Sequence, residues 1–334
     1  MHKTLIIAEA GVNHCGQIEL AKRLVLAAAD AGADIVKFQT YSTESLVTTS
    51  AVKAAYQTRL DINSETQFEM LKKLELKKQE FEILSNECQK KQIEFLSSAF
   101  DIESLNFLIQ LGIKRIKVPS GEINNLPYLR VVAGAKLPVI LSTGMATLEE
   151  IDKAVNILLQ GGVNKSEITL LHCNSEYPTQ MIDVNLLAMP AIGNAFAMKY
   201  GYSDHTIGAE IAVASVALGA SVIEKHITLD CLMDGPDHLA SMEPSAFTKM
   251  VKEIRNIEIA LGQSLKKPTD SELKNISRVR KSIVASKYIA IGDEFNEQNI
   301  TTKRPGGGIS PMLWDQLIGK KASKEYKLDD FIKE

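Results

Sequence analysis

Two short apolar runs end in Ser203-Asp204-His205 and in Glu224-Lys225-His226, with Asp237-His238 close behind the second. Set on neighbouring parallel strands about 4.8 Å apart, His205 and His226 can converge on one ion. Either histidine alone reads as an ordinary loop or core residue. Two imidazole nitrogens with open positions beside them suit a divalent cation that polarises an oxygen of a bound substrate. Lys117-Val-Pro-Ser120-Gly121-Glu122 adds a cation, a hydroxyl and a turn whose glycine lets backbone N–H groups point at a ligand. With Lys37, Ser142-Thr143-Gly144 and Ser203, it supplies the donors and positive charge that a phosphate ester needs. Glu9, Glu122 and Asp237 are acceptors that can orient hydroxyls, or pass a proton if burial brings them toward neutrality. Lys37 or Lys117 could instead form a Schiff base with a carbonyl substrate, which leaves the paired histidines without a task.

These side chains share a position in a repeated grammar. Leu5-Ile-Ile-Ala8 ends in Glu9, and Lys37, Ser98, Lys117, Ser142, His172, Ser203 and Glu224-Lys225-His226 likewise close apolar runs. Eight parallel strands closed into a barrel bring such ends onto one rim, where alternate side chains point inward. Strands are expected at 4–9, 35–39, 93–98, 113–118, 139–142, 168–172, 199–202 and 221–224. Helical spacing fills the intervals: Leu20, Leu24 and Ala28 share one face, and a helical stretch from Glu65 to Lys91 reads as interrupted near Glu75-Leu76. Residues 41–63 form a polar excursion, and a helix over 244–261 closes the wall. An open doubly wound sheet would place its ligand at one switch point, whereas polar residues end nearly every strand here.

The expected organisation is an α/β TIM barrel over residues 1–262, a polar linker over 263–275 and a small domain over 276–334. The small domain opens with short strands at 280–285 and 287–290, and its lone Trp314 reads as core. In Arg304-Pro-Gly-Gly-Gly308, proline fixes the turn and the glycines permit close backbone approach, so an arginine is presented at a set position; a tight hairpin fits equally well. Lys+Arg of 38 against Asp+Glu of 41 leaves a formal net charge of -3, so no bulk field recruits nucleic acid or an anionic membrane. Cys15, Cys88, Cys173 and Cys231 are far apart, which argues against a thiolate metal centre or disulfide framework. With no leader-like or bilayer-length apolar stretch, a cytoplasmic protein is expected.

The segments IAEAGVNH at 7–14, VKFQT at 36–40, KVPSGE at 117–122, LSTGMAT at 141–147, LHCNSEYPT at 171–179, YSDHTIG at 202–208, EKHITLD at 224–230, GPDH at 235–238 and TTKRPGGGISP at 301–311 run in order along the chain. In them the sequence resembles the sialic acid synthase family, the phosphoenolpyruvate-dependent nonulosonic acid synthases. The resemblance implies a (β/α)8 barrel followed by a small antifreeze-like (SAF) domain, in a homodimer where that domain covers the partner's active site. It implies condensation of phosphoenolpyruvate with N-acetylmannosamine and water to give N-acetylneuraminate and phosphate. The alternative acceptor is 2,4-diacetamido-2,4,6-trideoxymannose, giving N,N'-diacetyllegionaminate.

Carried over motif by motif, His205 and His226 resemble the ligands of a catalytic divalent ion, usually Mn2+, with Mg2+ or Co2+ as alternatives. Lys37, Lys117, Ser120, Ser142 and Ser203 resemble the phosphoenolpyruvate shell, with Tyr177, Gln39 and Ser175 among the substrate contacts. Glu9 and Asp237 resemble the groups that hold the open-chain sugar, and Glu122 a proton-handling carboxylate. Arg304 resembles the arginine that meets the sugar's N-acyl group. Ser175 and Gly307 stand where some members carry asparagine. A seven-carbon sugar-acid phosphate synthase would need a second anion site with no added basic cluster to form it. A nonenzymatic carbohydrate-binding module leaves the lysines and histidines unexplained.

Overall fold

Apolar runs alternating with amphipathic helices wind into a closed, all-parallel barrel in the computed structural model, which describes residues 3–54, 57 and 65–333. Its strands are β1 (Leu5–Gly11), β2 (Ile35–Thr40), β3 (Glu94–Ala99), β4 (Ile116–Val118), β5 (Val139–Ser142), β6 (Ile168–Cys173), β7 (Lys199–Asp204) and β8 (Val222–His226). Each pairs with the next, and β8 pairs back onto β1 with Glu9 beside His226. Closure removes every sheet edge and leaves one interior to fill.

Local sequence explains the helices of the wall. Helix Leu148–Gln160 starts at a capping box between Thr147 and Glu150 and buries Ile151, Ala154, Val155 and Leu158 against the sheet. Helix Ile102–Leu111 is capped by the Asp101 side chain and ends at Gly112 in the left-handed conformation. The stretch expected to break near Glu75-Leu76 forms two helices, Gln67–Leu74 and Lys78–Lys90. The polar excursion holds the short helix Thr43–Leu46, and positions 55, 56 and 58–64 lie outside the described residues.

Inside the barrel the period of two does the sorting. Ile7, Ile35, Leu96, Ile140, Leu171 and Val222 form one buried apolar layer. Two residues further along the same strands stand Glu9, Lys37, Ser98, Ser142, Cys173 and Glu224. Strand alternation thus plugs the lower barrel and gives the upper layer its chemistry. Several strands run past their expected ends, so that Asp204 and His226 lie within β7 and β8. The fourth is shorter than expected and starts at Ile116.

Residues 263–334 form a second compact unit. In it β9 (Ser282–Ala285) pairs antiparallel with β10 (Ile300–Lys303). Ile283, Ile289, Phe295, Ile300, Tyr326 and Ile332 make its core, and Trp314 packs against it. Two expectations need correction here. Part of the stretch read as linker is the helix Asp270–Val279, because Thr269 and Glu272 form a capping box that the polar composition conceals. Residues 287–290 are not a strand; Ile289 makes a single bridge to Tyr326. Among the described residues no helix is long and apolar enough to cross a membrane.

Candidate active site

At the C-terminal end of the barrel strands lies a cavity of about 320 Å³. Its wall includes Glu9, Lys37, Gln39, Lys117, Ser120, Ser142, Ser175, Tyr177, Ser203, His205 and His226. Fourteen positions were singled out from the sequence, and eleven of them meet on this wall. Asp237 stands just behind it, with Oδ2 3.9 Å from His226 Nδ1. Gly11, at φ +52°, carries the chain between the two carboxylates: a side-chain carbon there would sit 3.3 Å from Glu9 Oε1 and 3.4 Å from Asp237 Oδ2. Glu122 does not line the cavity; it sits in the turn Ser120–Glu122 and accepts a bond from Asn125 Nδ2 at 2.6 Å. Arg304 is an exposed residue of the second unit. His172, at an apolar run's end, also lies off the cavity wall, its Nε2 3.0 Å from the Val184 carbonyl. Its neighbours Leu171 and Cys173 take the inward positions of β6.

The two lysines are buried and paired. Lys37 Nζ lies 2.7 Å from Glu9 Oε2 and donates to Ser98 Oγ at 3.1 Å. Lys117 Nζ donates to Glu224 Oε1 at 3.2 Å, and the same oxygen accepts from Ser203 Oγ at 3.0 Å. Burial opposes ionisation of Glu224, but Lys117, Lys37 and the Ser203 hydroxyl outweigh it and hold the carboxyl down at about 2. Burial dominates at Glu9 and pushes it up to about 7 in spite of Lys37. Asp237, with Lys37 again the opposing charge, is pushed up to about 6. Carboxyl groups near neutrality can change protonation during a reaction cycle, whereas Glu224 stays charged.

Glu224 was not assigned from the sequence. Its signal is the alternation in Val222-Ile-Glu224-Lys225-His226, which puts Glu224 and His226 on one face and Lys225 on the other. Lys225 is fully buried outside the barrel and pairs with Asp204 at 2.9 Å.

His205 donates from Nδ1 to the Asn174 carbonyl, which leaves Nε2 as the free lone pair, 3.4 Å from Ser203 Oγ. Burial drives this imidazole down to about 4 and His226 well below its ordinary value, the latter helped by His205 and Lys37. Both are therefore neutral near pH 7, and the 3.9 Å approach of His226 to Asp237 is not an ion pair. His226 Nδ1 is buried with no hydrogen-bond partner among the described residues. An orphaned neutral nitrogen beside a second imidazole is what a divalent cation requires. Among the described residues no group of three or more His, Cys, Asp or Glu could hold a metal ion, so the remaining ligands would come from substrate or water.

Gly144 shapes the opposite wall. A side-chain carbon there would fall 2.7 Å from Ser175 Oγ and 2.8 Å from Ser120 Oγ, and the Gly144 N–H donates to Ser120 Oγ at 3.1 Å. The hydroxyls of Ser120, Ser142 and Ser175 line the cavity with Lys117, a donor set that matches an anion with several oxygens.

The NeuB family profile matches residues 24–266 and the SAF domain profile residues 280–332. An N,N'-diacetyllegionaminic acid synthase of Campylobacter jejuni is 51% identical over 334 residues, covering 100% of both chains. Another of that name, from Legionella pneumophila, is 45% identical and covers 95% of this chain and 90% of its own. Among solved structures, the N-acetylneuraminic acid synthetase of Leptospira borgpetersenii superposes with a TM-score of 0.72 at 38% identity, over 82% of this chain and 90% of that one.

Proposed function

Because the chain belongs to the NeuB family, a class of phosphoenolpyruvate-dependent condensing enzymes, we propose that it joins phosphoenolpyruvate to 2,4-diacetamido-2,4,6-trideoxymannose, giving N,N'-diacetyllegionaminate and phosphate. This replaces N-acetylmannosamine as the favoured acceptor. The motifs alone suit either sugar, while the relatives at 51% and 45% identity both carry the legionaminate name. The observation that carries the chemistry is the meeting of Lys37, Lys117, His205 and His226 on one cavity wall.

In this reading Lys37 and Lys117, with Ser120, Ser142 and Ser203, hold the charged ends of phosphoenolpyruvate. Tyr177, Gln39 and Ser175 complete the substrate contacts. Glu9 and Asp237 accept hydrogen bonds from the open-chain sugar, and their raised pKa values suit proton movement at its oxygens. C3 of phosphoenolpyruvate bonds to the aldehyde carbon, water adds at C2, and phosphate leaves to give the 2-keto acid. Glu122, outside the cavity wall, enters only if its turn moves, and it keeps the role of proton carrier on that condition. His205 and His226 would hold a divalent cation, manganese first among the candidates, which supplies a Lewis acid for the aldehyde oxygen.

The second unit is read as the antifreeze-like domain of residues 276–334, joined through 263–275, and Arg304 as its contact to an N-acyl group. In a homodimer it closes the partner's barrel mouth and excludes bulk water. Support comes from exposed apolar side chains on the loops after β5 to β8, namely Met145, Ile182, Ile207 and Leu232, which give such a cover something to bury. The test is kcat/KM from phosphate release with phosphoenolpyruvate, Mn2+ and each sugar in turn. The diacetamido sugar is expected to lead by roughly tenfold or more. Equal or better turnover of N-acetylmannosamine would overturn the choice of acceptor.

A further inference from the structure

The two ammonium groups of the cavity converge on one carboxylate that neither the motifs nor the family comparison assigns. Glu224 Oε1 accepts from Lys117 Nζ at 3.2 Å and from Ser203 Oγ at 3.0 Å, and lies 3.7 Å from Lys37 Nζ. β8 and β4 stand on opposite sides of the barrel, so the contact from Glu224 to Lys117 crosses its interior. Among the described residues Glu224 is the acceptor for the Lys117 ammonium, whereas Lys37 also has Glu9 and Ser98. The lysine stems are long and flexible, and two like charges in one cavity repel.

We propose that Glu224 is a positioning residue for the anion-binding half of the pocket, holding the Lys117 ammonium and the Ser203 hydroxyl, with Lys37 beside them, as one donor set. This rests on the reading that these groups receive phosphoenolpyruvate. The apolar layer below, with Val222 two residues earlier on the same strand, seats the carboxylate at a fixed depth. An incoming anion then meets donors already in place, so less ordering cost is met on binding. Without Glu224, Lys117 loses both the contact that aims it and the carboxylate that offsets the burial of its charge.

Two substitutions separate the parts of this role. Glu224→Gln keeps an acceptor for Lys117 and can place its amide where Oε2, buried and without a partner among the described residues, now sits. Glu224→Ala removes acceptor and charge together. Titration calorimetry with phosphoenolpyruvate alone, on folded protein checked by thermal melting, is expected to show Ala weakening binding about tenfold or more, and Gln by less. In steady-state assays KM for phosphoenolpyruvate rises while KM for the sugar stays within about twofold. Unchanged affinity for phosphoenolpyruvate, or equal rises in both KM values, would overturn the proposal; should the alanine variant fail to fold, the glutamine variant decides by the same two readings. A wild-type protein that binds no phosphoenolpyruvate would instead overturn the functional reading itself.

Discussion

The imidazoles of His205 and His226 stand 5.5 Å apart, centroid to centroid, with their planes inclined at 65°. Tyr177 packs against both, 4.1 Å from the first ring and 5.7 Å from the second. A flat, sequence-distant side chain therefore fixes the attitude of two rings that arrive from adjacent strands.

That arrangement predicts a metal dependence centred on these rings. Calorimetric titration with Mn2+ is expected to give one site per chain in the wild type and none in His226→Ala. Stripping the metal with a chelator should lower turnover about a hundredfold or more, since Lewis-acid polarisation is worth several kcal/mol. Full turnover in the presence of chelator would remove the assignment.

Behind the rings, Asp204 and Lys225 pair at 2.9 Å with no exposure to solvent, and Asp204 also accepts from the backbone and hydroxyl of Thr206. Each residue sits next in sequence to one of the histidines. Lys225→Ala strands the Asp204 charge and is expected to cost about 3–5 kcal/mol in urea melts. Replacing both by apolar residues should cost less than the single change; a double variant weaker than Lys225→Ala would refute this account.

His14 predicts a pH effect away from the histidine pair. Its Nδ1 accepts from the Gly16 N–H at 3.1 Å, its Nε2 is buried without a partner among the described residues, and burial lowers it to about 4. From pH 6.5, its ordinary value, down to about 4 the unfolded chain takes the proton and the folded one does not. Stability from this group is whole above pH 6.5, falls on acidification through that window and levels off below about 4. The slope is up to about 1.4 kcal/mol per pH unit. Urea melts across the window should be flatter by that amount in His14→Gln, and identical slopes would show that His14 titrates normally.

Arg304 lies in the second unit, exposed, and the acyl contact proposed for it can be tested by kinetics. Arg304→Ala should raise KM for the acylated sugar by about tenfold or more, the worth of a charge-assisted hydrogen bond, with little change for phosphoenolpyruvate. An equal loss for both substrates would count against that contact.

The barrel was legible because its signals are local and periodic. Apolar runs ending in polar residues, helical spacing between them and capping pairs such as Thr147 and Glu150 act within a few residues of one another. The Asp270–Val279 helix shows the limit: Leu273, Ile276 and Val279 recur every third residue behind a capping box, but the helix buries no residue and its polar, charged composition reads as linker.

The sequence by itself determined which residue types stand at the strand ends, and hence a rim that carries Glu9, Lys37, Lys117 and the histidine pair. Tertiary structure alone decided which of them face one another. Whether Lys117 on β4 meets Glu224 on β8 depends on how the barrel closes, a relation between residues 107 positions apart that no local pattern encodes. Folding likewise decides that Glu224 is charged, because Lys117, Lys37 and Ser203 outweigh its burial, while at Glu9 and Asp237 burial wins and leaves them near neutrality.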